Sequence, residues 1–287
     1  MCRLFGFKSV INSQVHSSLV HAENALISQS LKHPDGWGVA YYLEGVPHLI
    51  KSVDRALDDQ IFQKVSGVVS SQTVLAHIRK ATHGQKTILN SHPFQYGKWL
   101  FAHNGNLKNL NTYRDKLLAG VDLELRKFIL GTTDSEIIFF LILTKIKINH
   151  PLDRQEIPLK DLKKAIESAF HFITSLSGPL CKDENPDPGE NHLTFILTSG
   201  TTMLAFNGGQ HLYYSTYKSK CSERDTCLFF DPICEQEAKV GDSVNHLIFS
   251  SEVLQGENQW KSIQKGEIIA TGASMILFQD NLDVDFE

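Results

Sequence analysis

A four-layer αββα sandwich, two sheets packed face to face with helices stacked outside them, is the α/β architecture that this sequence predicts. Three observations carry the expectation. Strand patterns crowd both ends of the chain, two strong helical patterns occupy the middle, and no internal repeat interrupts them. At 287 residues the chain fits one large layered domain, 1–287.

The elements follow in order. Residues 2–10 read as a strand, and 17–31 as a helix with Leu19, Val20, Ala22, Leu26 and Ile27 at helical spacing. A turn at His33-Pro34-Asp35-Gly36 leads to a hairpin, 37–43 and 46–53, around Glu44-Gly45. Residues 56–66 look helical, 73–79 form a short buried strand, and 80–97 form a long loop. The strand at 99–103 should stop at Asn104-Gly105, because Asn-Gly is a strong hairpin-turn signal. Residues 133–149 are the clearest helix. Thr133 and Glu136 make a capping box, and the run 137–143 is apolar all round, so this helix is buried on more than one side. A more amphipathic helix spans 159–176, and 182–191 is an exposed acidic loop. Strands then fall at 193–198, 202–206, 211–217, 245–250, 267–271 and 275–279, with 280–287 as a solvated acidic end.

Composition excludes several function classes. Hydrophobic content of 41% and charged content of 21% are ordinary for a globular chain. With 28 Lys and Arg against 32 Asp and Glu, the net charge of −4 argues against a nucleic-acid partner. The longest apolar run is far shorter than the ~18 residues of a membrane span, and the start lacks a secretory pattern. A cytoplasmic protein with no membrane partner is expected. The five cysteines are Cys2, Cys181, Cys221, Cys227 and Cys234, and no pair has CxxC spacing. Reduced cytosolic thiols are therefore expected, with no metal and no cofactor.

The chemistry concentrates in short blocks. Cys2 follows the initiator Met, and its small side chain permits removal of Met1. The mature chain would then carry a thiol and a free α-amine on one residue. That amine has a reference pKa of roughly 7.7–8.0, so it can serve as the thiol's own base. In His77-Ile78-Arg79-Lys80-Ala81-Thr82-His83-Gly84, Arg79 offers a planar fork suited to an α-carboxylate. Asn90-Ser91-His92-Pro93-Phe94 reads equally as a wall over a substrate or as a plain turn. In Ala102-His103-Asn104-Gly105-Asn106-Leu107, the Asn104 amide and the Gly105 N–H can form a two-donor oxyanion hole. In Gly131-Thr132-Thr133-Asp134-Ser135-Glu136, Asp134 suits a substrate ammonium, although acids favour helix N-termini anyway. The glycines of Asp35-Gly36-Trp37-Gly38 suggest close backbone approach.

Taken together, these blocks describe a site for an α-amino acid. Met-Cys-Arg-Leu-Phe-Gly, HIRKATHG, NSHPF, AHNGNL and TTDSE resemble, in order and rough spacing, the class II glutamine amidotransferases, which are N-terminal nucleophile hydrolases. Asp35-Gly36-Trp37-Gly38 looks more like their standalone subgroup. The specific motifs cover roughly the first half of the chain. The resemblance implies the αββα fold of that family and a γ-glutamyl thioester on Cys2. It implies Asn104 and Gly105 as the oxyanion hole, Arg79 and Asp134 at the two ends of glutamine, and Thr82, His83 and His92 along the pocket. Glutamine or a γ-glutamyl amide is the expected substrate. No P-loop, GxGxxG or other synthase module is recognisable, so any ammonia-accepting or amidase partner is expected on a separate polypeptide. Two alternatives stay open: a glutaminase subunit feeding a separate synthase, and a non-catalytic protein that senses glutamine.

Overall fold

A computed structural model describes residues 2–15, 17–22, 24–81, 84–222 and 224–287. The first half runs β1 (Arg3–Gln14), a π-helical turn (Ser17–His21), α1 (Leu26–Gln29), β2 (Trp37–Leu43), β3 (Val46–Ser52), α2 (Gln60–Val68) and β4 (Ser70–Ile78). Then come β5 (Phe94–Tyr96), β6 (Trp99–Asn106), α3 (Leu110–Ala119), α4 (Leu123–Arg126), α5 (Asp134–Asn149) and α6 (Leu159–Ser177). The second half adds β7 (His192–Thr198), β8 (Met203–Phe206), β9 (Tyr213–Ser215), β10 (His246–Ser250), β11 (Lys261–Ser262), β12 (Glu267–Thr271) and β13 (Phe278–Asn281).

These strands form two antiparallel sheets, ordered β11-β9-β10-β1-β4-β2-β3 and β13-β12-β8-β7-β6-β5. Period-two alternation splits each strand between two cores. Along β1, Leu4 joins an inter-sheet core with Leu75, Leu100, Ile196 and Met203. Phe5 and Phe7 point the other way, into a core with Trp37, Phe62 and Leu26 beneath α1 and α2. The opposite outer layer packs Phe101, Phe195 and Phe206 against Phe139, Phe140, Ile166 and Phe170 of α5 and α6. Three apolar interfaces separate four layers, and the expected sandwich is observed. Every residue from Ile137 to Leu143 is buried, as its all-round apolar pattern requires.

Several local expectations are corrected. Asn104 and Gly105 do not turn the chain. They continue β6 and pair with Thr194 and Leu193 of β7, so pairing with a neighbouring strand overrides the local turn signal. The helix expected over 17–31 is broken, and Asn24 instead bonds to the Val253 carbonyl and the Gln255 N–H across the fold. The capping box is half made. Thr133 Oγ1 accepts from the Glu136 N–H at 3.4 Å, but the Glu136 carboxylate receives the N–H groups of Leu130 and Gly131. The acidic end is not free either. Leu180 N–H donates to Asp285, Glu287 N–H donates back to Leu180, and Leu282 is buried.

Glycines set how closely the loop before β5 approaches the seven-stranded sheet. A Cβ on Gly38 would stand 2.1 Å from the His92 carbonyl oxygen and 2.9 Å from Pro93 Cδ. Gly45, with φ +80°, has open space around it. Gly38→Ala should therefore lower the unfolding free energy by about 3 kcal/mol through forced backbone movement. Gly45→Ala should cost only about 1 kcal/mol, from its left-handed backbone. Denaturant midpoints at constant m-value test the contrast, and equal losses would count against the close approach.

Candidate active site

The site begins where β1 enters the seven-stranded sheet. Arg3 pairs in register with Ile78, which sets Cys2 beside the residues that follow β4. The alternation that turns Leu4 toward the other sheet turns Cys2 the same way. Cys2 is half-buried, and its Sγ lies 3.3 Å from both the N–H and the carbonyl of Lys80, accepting from the first and donating to the second. Burial pushes the thiol pKa up, while the Lys80 N–H and the Arg79 and Arg3 guanidinium groups act against that rise. Arg3 is held by Glu252, its Nε donating to Oε1 at 2.7 Å.

Arg79 is buried directly beyond β4. Its backbone N–H donates to Gly36 at 2.8 Å, and its carbonyl accepts from Asp35 at 3.1 Å. The close approach expected of Asp35-Gly36 is thus made against this segment. The Arg79 guanidinium donates to the carbonyls of Gln85 at 3.2 Å and Gly84 at 3.4 Å.

Asn104 and Gly105 come from the facing sheet. Leu193 donates its N–H to Gly208, so it turns its hydrogen-bonding edge toward β8. The Gly105–Leu193 pair is then the non-hydrogen-bonded kind, and the Gly105 N–H points off the β6 edge away from β7. The Asn104 side chain lies on the inter-sheet face, on the wall of a cavity of about 660 Å³. Among the described residues, neither the Asn104 amide nor the Gly105 N–H has a protein acceptor. Gly105 admits no side chain, because a Cβ would lie 2.2 Å from the His192 carbonyl oxygen and 2.0 Å from His103 Nε2. The same cavity is lined by Arg3, Lys32, His33 and Lys80.

Asp134 is buried at the start of α5. Its Oδ2 accepts from the Leu107 N–H at 2.9 Å and its Oδ1 from the Ser135 N–H at 2.8 Å, so it ties α5 to the end of β6. A carboxylate keeps further acceptor sites beyond these two. His92 is buried below the surface, its ring 4.2 Å from that of His77 and 4.7 Å from that of Phe94. Burial, before any charge effect, holds His77 and His92 well below the ordinary imidazole pKa. It pushes His33 and His103 down to about 4. Thr82 and His83 lie outside the described residues, as does Met1.

The structure thus gathers Cys2, Arg79 and Asn104–Gly105 where the two sheets meet, with Asp134 held just beyond them by the Leu107 N–H. His92 stands behind the site rather than on the cavity wall. Sequence reasoning assigned no role to Lys80 or His33. Lys80 follows Arg79 directly in its motif, which was the available signal. Nothing local marked His33. Cys221, Cys227 and Cys234 line a different cavity, at the other end of β1.

Comparisons with known proteins show the family and the fold. A family model described as "Glutamine amidotransferases class-II" matches residues 1–283. The "Probable glutamine amidotransferase DUG3" of Saccharomyces cerevisiae is 31% identical over 225 residues, covering 71% of this chain and 62% of that protein. The chain therefore spans less than two thirds of that relative's length. A solved glutamine aminotransferase class-II domain protein of Silicibacter pomeroyi superposes with a TM-score of 0.62 at 18% identity, covering 98% of this chain and 99% of the other. The glutamine phosphoribosylpyrophosphate amidotransferase of B. subtilis superposes with a TM-score of 0.59 at 15% identity, over 98% of this chain and 49% of its own. At these identities the two structures speak for the fold alone. No helix among the described residues is long and apolar enough to cross a membrane.

The buried neutral histidines give a pH dependence with a definite sign. A folded-state pKa near 4 for His33 and His103, against about 6.5 unfolded, means that the unfolded chain binds more protons between those values. Their contribution is fully present above pH 6.5 and is lost as pH falls toward 4. His33→Asn, which keeps a donor for the Gln29 carbonyl, should flatten the stability-versus-pH slope between pH 6 and 5 by about 1 kcal/mol per pH unit. Unfolding titrations at fixed ionic strength measure that slope. An unchanged slope would show that His33 is already charged.

Proposed function

The chain belongs to the class II glutamine amidotransferases, and from that premise we propose that it cleaves the γ-amide of glutamine or a γ-glutamyl compound through a thioester on Cys2. The Cys2 thiolate attacks the γ-carbonyl carbon, and the carbonyl oxygen takes the negative charge. The Asn104 amide and the Gly105 N–H receive that oxyanion. As the intermediate collapses, the C–N bond breaks and the amine leaves with a proton from the base. Water then attacks the thioester, releasing glutamate and the free thiol. After removal of Met1, the α-amine of Cys2 would be that base. Arg79 would bind the α-carboxylate and Asp134 the α-ammonium, with Thr82 and His83 beside them and His92 packed behind. The observation that carries the reading is the adjacent pair of donors, Asn104 and Gly105, lacking protein acceptors where Cys2 enters the fold.

The charge of the cavity bears on the leaving group. Its wall carries Arg3, Lys32 and Lys80 against one carboxylate, Glu252, which already bonds Arg3. That excess of positive charge favours a leaving amine bearing a carboxylate over bare ammonia.

Cys2→Ser should bind glutamine and fail to turn it over, and a glutamine-like diazo-ketone should label Cys2 while sparing the other four cysteines. Intact mass of active protein should correspond to a chain starting at Cys2, so full activity with Met1 retained would overturn the α-amine as base. Replacing Lys32 and Lys80 together by Ala should reduce the kcat/KM preference for γ-glutamylglycine over γ-glutamylmethylamide by about fivefold. An unchanged ratio would remove these lysines from leaving-group selection.

A further inference from the structure

Two segments hold the groups assigned to the ends of the substrate, and one side chain joins them. The first segment follows Arg79: the carbonyls of Gly84 and Gln85 accept the guanidinium. The second leads into α5 and Asp134 through Gly131 and Thr132. Asn90 is buried between them. Its Nδ2 donates to the Gln85 carbonyl at 3.0 Å, the same oxygen that receives Arg79, and to Thr132 Oγ1 at 3.2 Å. Its Oδ1 accepts the Thr132 N–H at 2.8 Å. Both segments carry a glycine where they meet this amide. A Cβ on Gly84 would lie 2.7 Å from Asn90 Nδ2, and one on Gly131 would lie 2.6 Å from Asn90 Oδ1. The amide therefore fills a slot closed on two sides by backbone, and it uses both ends of its side chain.

We propose that Asn90 is a positioning residue that couples recognition of the α-carboxylate at Arg79 to recognition of the α-ammonium at Asp134. This rests on the assignment of Arg79 and Asp134 made under the proposed function. Asn90 touches neither substrate nor Cys2. It acts by fixing the Gln85 carbonyl, which fixes the guanidinium fork, and by fixing Thr132, two residues before Asp134. An amide is required because one end must donate and the other accept. A carboxylate at this position would still accept the Thr132 N–H but would face the Gln85 carbonyl with a like partial charge.

The test compares hydrolysis of glutamine, of glutaramate, which lacks the α-amine, and of γ-aminobutyramide, which lacks the α-carboxylate. Unsubstituted protein should prefer glutamine over both. Asn90→Ala should raise the KM for glutamine about tenfold or more, change kcat less than about threefold, and narrow both preferences. Asn90→Asp should narrow the preference over γ-aminobutyramide while keeping most of that over glutaramate. A merely structural role would not separate the two. Alkylation of Cys2 by iodoacetamide should proceed in both variants at the unsubstituted rate, which certifies a folded site. If both variants keep KM and both preferences, or if they lose kcat equally on all three amides, the coupling role is overturned. Failure of the underlying reading looks different: unsubstituted protein would hydrolyse glutaramate as readily as glutamine before any Asn90 variant is made.

Discussion

Strand β1 is hydrogen-bonded on both edges, to β4 and to β10, and the site is placed from it. Because it is an interior strand, its register cannot slip by one residue without sending Leu4 outward and Phe5 inward. That constraint fixes the face on which Cys2 emerges. It also fixes the neighbour Cys2 meets, since the Arg3–Ile78 pair leaves Arg79 and Lys80 as the next residues across the ladder. Strand β6, with Asn104 and Gly105, reaches the same place from the other sheet, and the inter-sheet core helps set the spacing between the two.

Much of this was legible in the sequence, for reasons that differ by residue. The four layers could be read because each has its own period: alternation in the strands, and an all-round apolar run in α5. The roles of Cys2, Arg79 and Asn104 could be suggested because their chemistry is carried by residue type. What misled was local signal without knowledge of the partner strand. Asn104-Gly105 is a turn dipeptide in isolation, yet β7 supplies a ladder that keeps it extended. Glu136 completes a capping box by spacing alone. The loop before α5, with Leu130 and Gly131 donating, offers its carboxylate better-placed partners. The acidic end was read as solvated because its charges gave no hint that Leu180 would bond it back.

Two kinds of polar group can be told apart in this fold. Those that hold loops are engaged by hydrogen bonds, as Asn90 and Glu136 are. Groups that face the cavity keep unused donors, as Asn104 does. The histidines add a third category: His77 and His92 stack on each other deep in the fold as neutral rings. They pack like aromatic residues and hold no charge near the substrate position.

The place of β1 in the sheet has a consequence for synthesis. Its β4 edge comes from residues 70–78, but its β10 edge is supplied by residues 246–250, far along the chain. During translation β1 can pair with β4, but its second edge stays open until most of the protein has emerged. Contacts this distant in sequence slow folding, and an open hydrophobic strand edge invites pairing with the wrong chain. The arrival of β10 then closes the sheet beside Cys2.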